Sequence, residues 1–161
     1  MGVYVYSIVS GALTTTNAVA NTANDYAFVK PGAAGRAVKV VKVDLIGRGG
    51  LLTSLSGIGI RVERWTTTSS SGSAVTPSPK DPGSQAAKAT AGLSATTVTS
   101  GTGGPSLQGT FGCGASGPGG WVARNQDDGY VIEAGANNSV DLFNISAATA
   151  LTFETAIDIE E

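Results

Sequence analysis

Two carboxylates, Glu133 and Asp141, are the side chains best suited to acid–base chemistry. They fall in segments that resemble strands, 130–134 and 139–145, with a turn signal at 135–138. A hairpin would place them on neighbouring strands, as the acid and the nucleophile or base of a glycosidase require. Like charges on a sheet are more often solvated or paired with lysines, and no feature marks a cleft here. We therefore do not expect a hydrolase.

A glycine pattern at Gly112, Gly114 and Gly117 has the G-x-G-x-x-G spacing of dinucleotide-binding proteins. In those proteins the third glycine lies on a helix whose N-terminus holds the pyrophosphate. A Pro-Gly-Gly sequence at 118–120 follows at once and is incompatible with that helix. We expect a turn here and no bound cofactor.

The segment 125–129, Asn-Gln-Asp-Asp-Gly, carries oxygen ligands of the kind that calcium prefers. An EF-hand loop places ligands at alternate positions and a bidentate acid at its twelfth residue, and this segment lacks that order. A β-turn accounts for the same residues. We expect a turn and no metal site.

The residue types that are absent exclude more chemistry than these motifs suggest. The chain has no histidine, which excludes Ser-His-Asp and Cys-His catalysis and histidine-ligated zinc. Its one cysteine, Cys113, can form neither an internal disulfide nor a thiolate cluster, and we interpret it as a small core residue. The sequence favours a protein that is not an enzyme and has no cofactor.

Length and composition favour one turn-rich domain over residues 1–161. Of these residues, 41% are hydrophobic and only 14% charged, while 23 glycines and 6 prolines point to many turns. The apolar content argues against disorder of the whole chain. No run of 18 apolar residues occurs and the N-terminus lacks a basic region, so we expect a soluble protein without a membrane partner.

Charge is divided unequally along the chain. Residues 1–88 hold nine basic and four acidic side chains (+5), and residues 89–161 hold one basic and eight acidic (−7). The halves could attract a second copy of the chain, but we favour strands from the two halves lying side by side. The basic residues are dispersed and do not alternate with aromatics, so no nucleic-acid partner is expected.

Period-2 alternation predicts about ten short strands and no substantial helix. It is clearest at 58–65 and 151–160, where apolar and charged residues alternate. We predict an all-β, antiparallel β-sandwich. A jelly-roll type is favoured, and an immunoglobulin-like sandwich is the alternative, because one sequence does not reveal strand order. Residues 1–25 are interpreted as an extended N-terminal segment, with a strand at 3–9, and residues 66–92 as a long Gly/Ser/Pro-rich loop with a short helical turn at 86–91. The other predicted strands cover 26–29, 37–46, 93–100, 107–113, 121–123, 130–134 and 139–145.

The pattern over residues 57–161 resembles that of a known protein class. It comprises GIRVERWTTTSSSGSAVTPSPKDPG, SGPGGWVARNQDD, YVIEAGANNSVDLFNIS and the final strand LTFETAIDIEE. It is similar to capsid decoration (cement) proteins of tailed bacteriophages, which are β-rich and commonly trimeric. The resemblance implies a homotrimer on the exterior of a virion capsid, made in the host cytoplasm and clamping neighbouring copies of the major capsid protein at three-fold or quasi-three-fold points.

Six residues are the candidate interface of such a protein. Aromatic anchors and charges near the predicted loop and the N-terminal strand suit contact with a partner. The same aromatics could instead serve a carbohydrate- or receptor-binding module of a phage tail or fibre, which would need rings exposed on one face. The six candidates are Tyr4, Tyr6, Trp65, Lys80, Asp81 and Trp121.

Overall fold

Strands account for all the regular structure in the computed structural model of this protein, which describes residues 3–11, 13–14, 26–32, 36–47, 58–65, 73–93, 106–113, 119–125, 128–134, 138–144 and 152–161. The described residues form thirteen strands and no helix. The strands are β1 (Val5–Val9), β2 (Leu13–Thr14), β3 (Ala27–Lys30), β4 (Val38–Gly47), β5 (Ile58–Trp65), β6 (Ser73–Val75), β7 (Ser78–Pro79), β8 (Thr90–Leu93), β9 (Ser106–Cys113), β10 (Gly119–Val122), β11 (Tyr130–Ile132), β12 (Ser139–Asn144) and β13 (Thr152–Glu160).

The strands form two antiparallel sheets. The first has the order β10-β4-β13-β1-β7, with β11 also pairing with β4 and β2 with β13; the second has the order β6-β8-β3-β12-β5-β9. One apolar cluster takes side chains from both sheets, which confirms the predicted antiparallel sandwich class. Its members are Tyr6, Ile8, Tyr26, Ala27, Val29, Val38, Val40, Val43, Leu45, Val62, Ala89, Ala91, Ile132, Val140, Leu142, Phe153, Ile157 and Ile159.

The final strand, β13, lies between β1 and β4 in the first sheet. Phe153, Ile157 and Ile159 are buried, as the alternation predicts, because successive residues of a strand face opposite sides. The acidic residues at the end of this strand are part of the sheet. Asp158 pairs with a residue on each neighbouring strand and is itself buried.

Opposite charges of the two chain halves meet across this sheet, as predicted. Lys42 of β4 is the cross-strand partner of Asp158, and Lys39 is the partner of Glu160. The register shifts by one residue between these pairs, so that β4 contains a bulge. Strands of the basic half and of the acidic half are therefore neighbours in this sheet.

The predicted hairpin of residues 130–145 is wrong. β11 pairs with β4 in the first sheet, whereas β12 pairs with β3 and β5 in the second, so the chain crosses between the layers. Glu133 is exposed after β11, while Asp141 is fully buried within β12. The turn signal between them is a local property of the sequence, and it does not indicate which sheet each strand joins. The acid pair expected of a glycosidase is not formed on neighbouring strands.

Two predicted irregular segments contain strands. The described part of the loop at 66–92 includes β6, β7 and the start of β8, and residues 86–89 form no helical turn. In the segment 1–25, β1 lies between β13 and β7 and is not a free extension. Prolines allow short edge strands because an edge needs no donor on its outer side.

Several predictions fall on residues outside the described ranges. They concern the loop residues 66–72, the strand residues 94–100, and Gly114 and Gly117 of the glycine pattern. Gly112 lies within β9 opposite Gly59, so this part of the pattern is strand and not turn.

Candidate functional site

A surface groove lies at the edge of the first sheet, where β7 pairs with β1. It has a volume of about 460 Å³ and is open to solvent. One wall is the start of β1 and the other is the turn that follows β7. We call it the edge groove; its lining residues are Val3, Tyr4, Val5, Lys80, Asp81 and Ser84. The groove brings together three of the six candidate interface residues.

Glu161 fixes the groove wall that leads into β1. Tyr4 and Glu161 exchange two backbone hydrogen bonds, of 3.2 Å from the Tyr4 amide and 3.1 Å from the Glu161 amide. The Tyr4 side chain is 37% exposed, and Val3 beside it is more so. The Tyr4 ring and the Val3 side chain are thus exposed on a backbone that the hydrogen bonds to Glu161 hold in place.

Tyr6 is a correction to the candidate interface. It is 1% exposed and belongs to the core cluster, because β1 directs alternate residues inward. Its hydroxyl donates a 3.0 Å hydrogen bond to the backbone carbonyl of Gln85. Tyr6 therefore supports the groove from the core side and does not contact a partner directly.

The opposite wall is a tight turn that begins at Asp81. The Asp81 carbonyl accepts a 2.9 Å hydrogen bond from the Ser84 amide, and its carboxylate accepts one of 2.9 Å from the Gly83 amide. Pro82 at the second position suits such a turn because its φ is already set. The Lys80 amide joins the turn to β1 through a 3.0 Å bond to the Val5 carbonyl.

Lys80 also forms an ion pair with Asp158 of β13. The Asp158 side chain is 9% exposed and the Lys80 side chain is half-exposed, so the lysine compensates a carboxylate that is largely removed from water. Lys42 lies opposite Asp158 and contacts Asp44 at 2.5 Å. The hydrogen bond to Asp44 raises the pKa of Lys42, and the Asp158 charge adds to that effect.

Glu161 makes a second connection that sequence reasoning missed. Its carboxylate accepts a hydrogen bond of 2.9 Å from the Lys88 amide and another from the Ala89 amide. The sequence marks Asp158 and Glu161 only as members of an acidic end. The partners lie more than 70 residues away, and no local pattern identifies them.

The remaining candidates lie elsewhere. Trp121 is on β10, at the opposite edge of the first sheet, and stacks on Tyr130 with ring centres 4.3 Å apart and an interplanar angle of 25°. Burial, followed by the Asp128 charge, raises the pKa of Tyr130. The backbone of Trp65 ends β5 opposite Ser139, and its side chain lies outside the described part of the chain.

In the segment considered for calcium, the structure describes Asn125, Asp128 and Gly129. The Asp128 amide donates to the Asn125 carbonyl at 3.2 Å, and the Asp128 carboxylate accepts from the Arg124 amide at 3.2 Å. Within the described ranges, no three acidic or cysteine side chains converge as a metal site requires. Among the same residues there is no helix with the length and apolarity needed to cross a membrane.

Replacing Tyr6 by phenylalanine tests the contact beneath the groove. Loss of the bond to Gln85 is expected to lower the free energy of unfolding by about 1 kcal/mol at pH 7. Burial, and then the Glu161 charge, raise the pKa of Tyr6 in the folded protein. Its contribution is therefore fully present below the pKa of an unfolded tyrosine, about 10, and is lost as the pH rises through the higher folded-state value.

Urea unfolding between pH 8 and pH 11.5 measures this effect. The wild type is expected to lose stability above about pH 10, and Y6F should lose less over the same range. Tyr130 retains its own contribution in that variant, so the slope is reduced and not abolished. Equal slopes for the two proteins would contradict the assignment to Tyr6.

The edge groove offers a binding surface of mixed character. It combines an exposed phenol ring and valines with one ammonium and one carboxylate group. Such a combination suits contact with a polypeptide surface, which supplies both apolar and charged groups. No family model, no curated protein and no solved structure matches this chain.

Proposed function

We propose that this chain is a structural virion protein that binds the outside of a phage capsid and stabilises the shell by clamping neighbouring copies of the major capsid protein. The proposal begins from the resemblance over residues 57–161 and carries no catalytic step. The observation that supports it best is the edge groove. Tyr4, Lys80 and Asp81, which the sequence predicts as interface residues, together line this groove.

Stabilisation of a shell by such a protein follows from mass action. A molecule that binds only the assembled shell stabilises it by RT ln(1 + [L]/Kd), which is about 4 kcal/mol per site at 1,000 times Kd. The effect requires a binding surface that keeps its shape. Backbone hydrogen bonds from Glu161 and Lys80 hold the β1 wall of the edge groove, which lowers the ordering cost of association.

The jelly-roll form of the sandwich is part of the proposal, and the strand order supports it. Five antiparallel pairings are nested in sequence: β1 with β13, β3 with β12, β4 with both β10 and β11, and β5 with β9. The pairs alternate between the two sheets, as they do when one long hairpin is rolled into two layers. β7 extends the first sheet beyond β1, and β8 and β6 extend the second beyond β3.

The homotrimer in this proposal comes from the resemblance. Sedimentation of the purified protein tests it. A trimer at micromolar concentration supports the assignment, and a monomer at all concentrations would remove the trimer from the proposal. The capsid assay below is independent of that outcome.

Capsid binding is the direct test of the function. Purified protein is mixed with expanded shells of the major capsid protein from the same source, and co-sedimentation and shell melting are measured. The wild type should co-sediment and raise the melting temperature of the shells. Tyr4→Ser should bind about 10-fold more weakly, because truncating an aromatic anchor typically costs more than 1 kcal/mol.

Val131→Ser is the matched control for that substitution. Val131 is 40% exposed, close to the value for Tyr4, but it lies on β11 at the opposite edge of the sheet. We expect it to bind like the wild type. Failure of the wild-type protein to bind or to stabilise shells would refute the proposed function, whereas equal losses for both variants would remove the groove as the contact.

A carbohydrate- or receptor-binding module of a phage tail or fibre is the second candidate. The stacked, partly exposed pair of Trp121 and Tyr130 favours it, because aromatic rings are the usual platform for sugars. However, each ring covers one face of the other, as expected if the pair protects the edge of the sheet from solvent. A glycan array with no binding would exclude the sugar-binding alternative; binding that is lost in Trp121→Ala would support it.

A further inference from the structure

Residues 77–89 connect the two sheets along one side of the sandwich. They run from β7, at the edge of the first sheet, to the start of β8 in the second. Pro77 and Ala89 at the two ends are buried, but none of residues 78–88 is. We call this segment the strap. Its middle therefore has little apolar burial to hold it in place.

Polar contacts attach the strap instead, and carboxylates of the last four residues provide the charged ones. Asp158 pairs with Lys80 near one end, and Glu161 accepts hydrogen bonds from Lys88 and Ala89 at the other. Between these ends the Gln85 carbonyl accepts from the Tyr6 hydroxyl. The pairing of β7 with β1 and the bond from the Lys80 amide to the Val5 carbonyl also hold the first end. Hydrogen bonds to charged groups are about twice as strong as neutral ones, so the two acids add substantially to the attachment.

A close approach fixes the strap at its second end. A Cβ atom on Gly32 would lie 2.0 Å from the Lys88 carbonyl oxygen, which no side chain permits. Gly32 therefore allows the backbone to come near enough for the Lys88 and Ala89 amides to reach Glu161. A substitution at Gly32 displaces the strap without removing any charge.

We propose that the strap is a detachable element which Asp158 and Glu161 jointly hold on the first sheet, and that its attachment decides whether the edge groove exists. Lys80, Asp81 and Ser84 form one groove wall and belong to the strap, whereas the other wall consists of Val3, Tyr4 and Val5, at which β1 begins. Detachment removes a wall of the groove and leaves the sandwich folded. The consequence for partner binding rests on the function proposed above; the detachment itself does not.

Amide hydrogen exchange of the isolated protein tests the lock. Asp158→Asn breaks the contact at the Lys80 end of the strap, and Glu161→Ala breaks the contacts at the Lys88 end. For each variant, the exchange rates are read at the opposite end of the strap. In D158N the Lys88 and Ala89 amides should exchange faster, and in E161A the Lys80 amide should. We expect increases of about 10-fold or more, as for loss of a hydrogen bond to a charged group.

Glu133→Gln is the control acid, because Glu133 is exposed after β11 and is remote from the strap in the sheet order. Its exchange pattern should match the wild type. The amides of Val43 and Ile157 report the core and should keep their protection in all variants. Faster exchange confined to the end that carries the substitution would overturn the proposal, since it would show two independent contacts and no common element.

Two further variants keep the test decisive. If D158N unfolds, Lys80→Gln breaks the same pair from its exposed side, and Gly32→Ala displaces the other end. Both should accelerate exchange throughout residues 80–89 with the core protected. Capsid binding is then measured separately: variants with a detached strap should bind at least about 10-fold more weakly. If a variant with a detached strap still binds capsids as tightly as the wild type, the strap proposal stands, but the groove is not the capsid contact.

Discussion

Replacing Phe153 by alanine is expected to lower the free energy of unfolding by about 3–5 kcal/mol, the range for a large aromatic in a closed core. Phe153 is completely buried on β13, and its ring meets that of Tyr26 edge-to-face at 4.9 Å and 83°. The pair joins the two sheets, because Tyr26 immediately precedes β3 of the second sheet. Truncation leaves a cavity between layers whose backbones are held by their own ladders.

Denaturant unfolding followed by tryptophan fluorescence measures this loss. Val131→Ala serves as the control, since an exposed side chain at a sheet edge should change the free energy by less than about 0.5 kcal/mol. A loss below about 1 kcal/mol for F153A would mean that the sheets do not pack through this residue. For F153A, the dependence of the free energy of unfolding on denaturant concentration should equal that of the wild type if both proteins unfold in two states.

Gly92→Val is expected to cost about 1–3 kcal/mol for a different reason, overpacking. Phe28 of β3 is the cross-strand partner of Gly92 on β8. A Cβ atom at position 92 would lie 2.3 Å from the Phe28 ring, so the ring occupies the space above the glycine. A valine there displaces the ring and also the Lys30 ammonium, which lies 4.6 Å from the ring centre.

A double-mutant cycle identifies the cause of this loss. With Phe28→Ala as the background, the space above position 92 is free, and valine should cost little or become favourable, because it suits a strand better than glycine. An equal loss in both backgrounds would show that the glycine is needed by the backbone and not by the Phe28 ring. Unfolding of the four proteins is measured under one set of conditions.

Strand existence was the most predictable part of this fold. The alternation at 58–65 and 151–160 corresponds to β5 and β13, because the side-chain period of two is a property of the strand itself. The predicted pairing of a basic half with an acidic half also holds, since β4 and β13 are long neighbours with opposite charges. Each of these signals lies within one segment or in the total charge of a half.

Strand partnership was less predictable. The turn signal at 135–138 suggests a hairpin, yet β11 and β12 join different sheets. Prolines in the segment 66–92 indicate a loop, yet β7 is a two-residue strand that pairs with β1. In both cases a local pattern describes the conformation of the chain and carries no information on which distant backbone receives its hydrogen bonds.

The candidate site shows the same division. Tyr4, Lys80 and Asp81 were chosen as interface residues from their types and places in the sequence, and they line one groove. Tyr6 is predicted with them but belongs to the core. The two tyrosines are two residues apart, so the strand period alone would place both rings on one face. Tyr4 is exposed where it precedes β1, and the sequence does not show where that strand begins. Asp158 and Glu161 were missed, because an acid that anchors a distant segment looks like any other acid in a solvated strand.

Residue types and their alternation are enough to establish an all-β, antiparallel chain whose two halves carry opposite charge. Those properties follow from the types of neighbouring residues and from the net charge of each half of the chain. The groove, its strap and the acids that hold the strap depend on folding, because Lys80 and Asp158 are 78 residues apart and meet only when β13 lies between β1 and β4. Contacts between residues so far apart are set by the path of the whole chain, which no single segment contains.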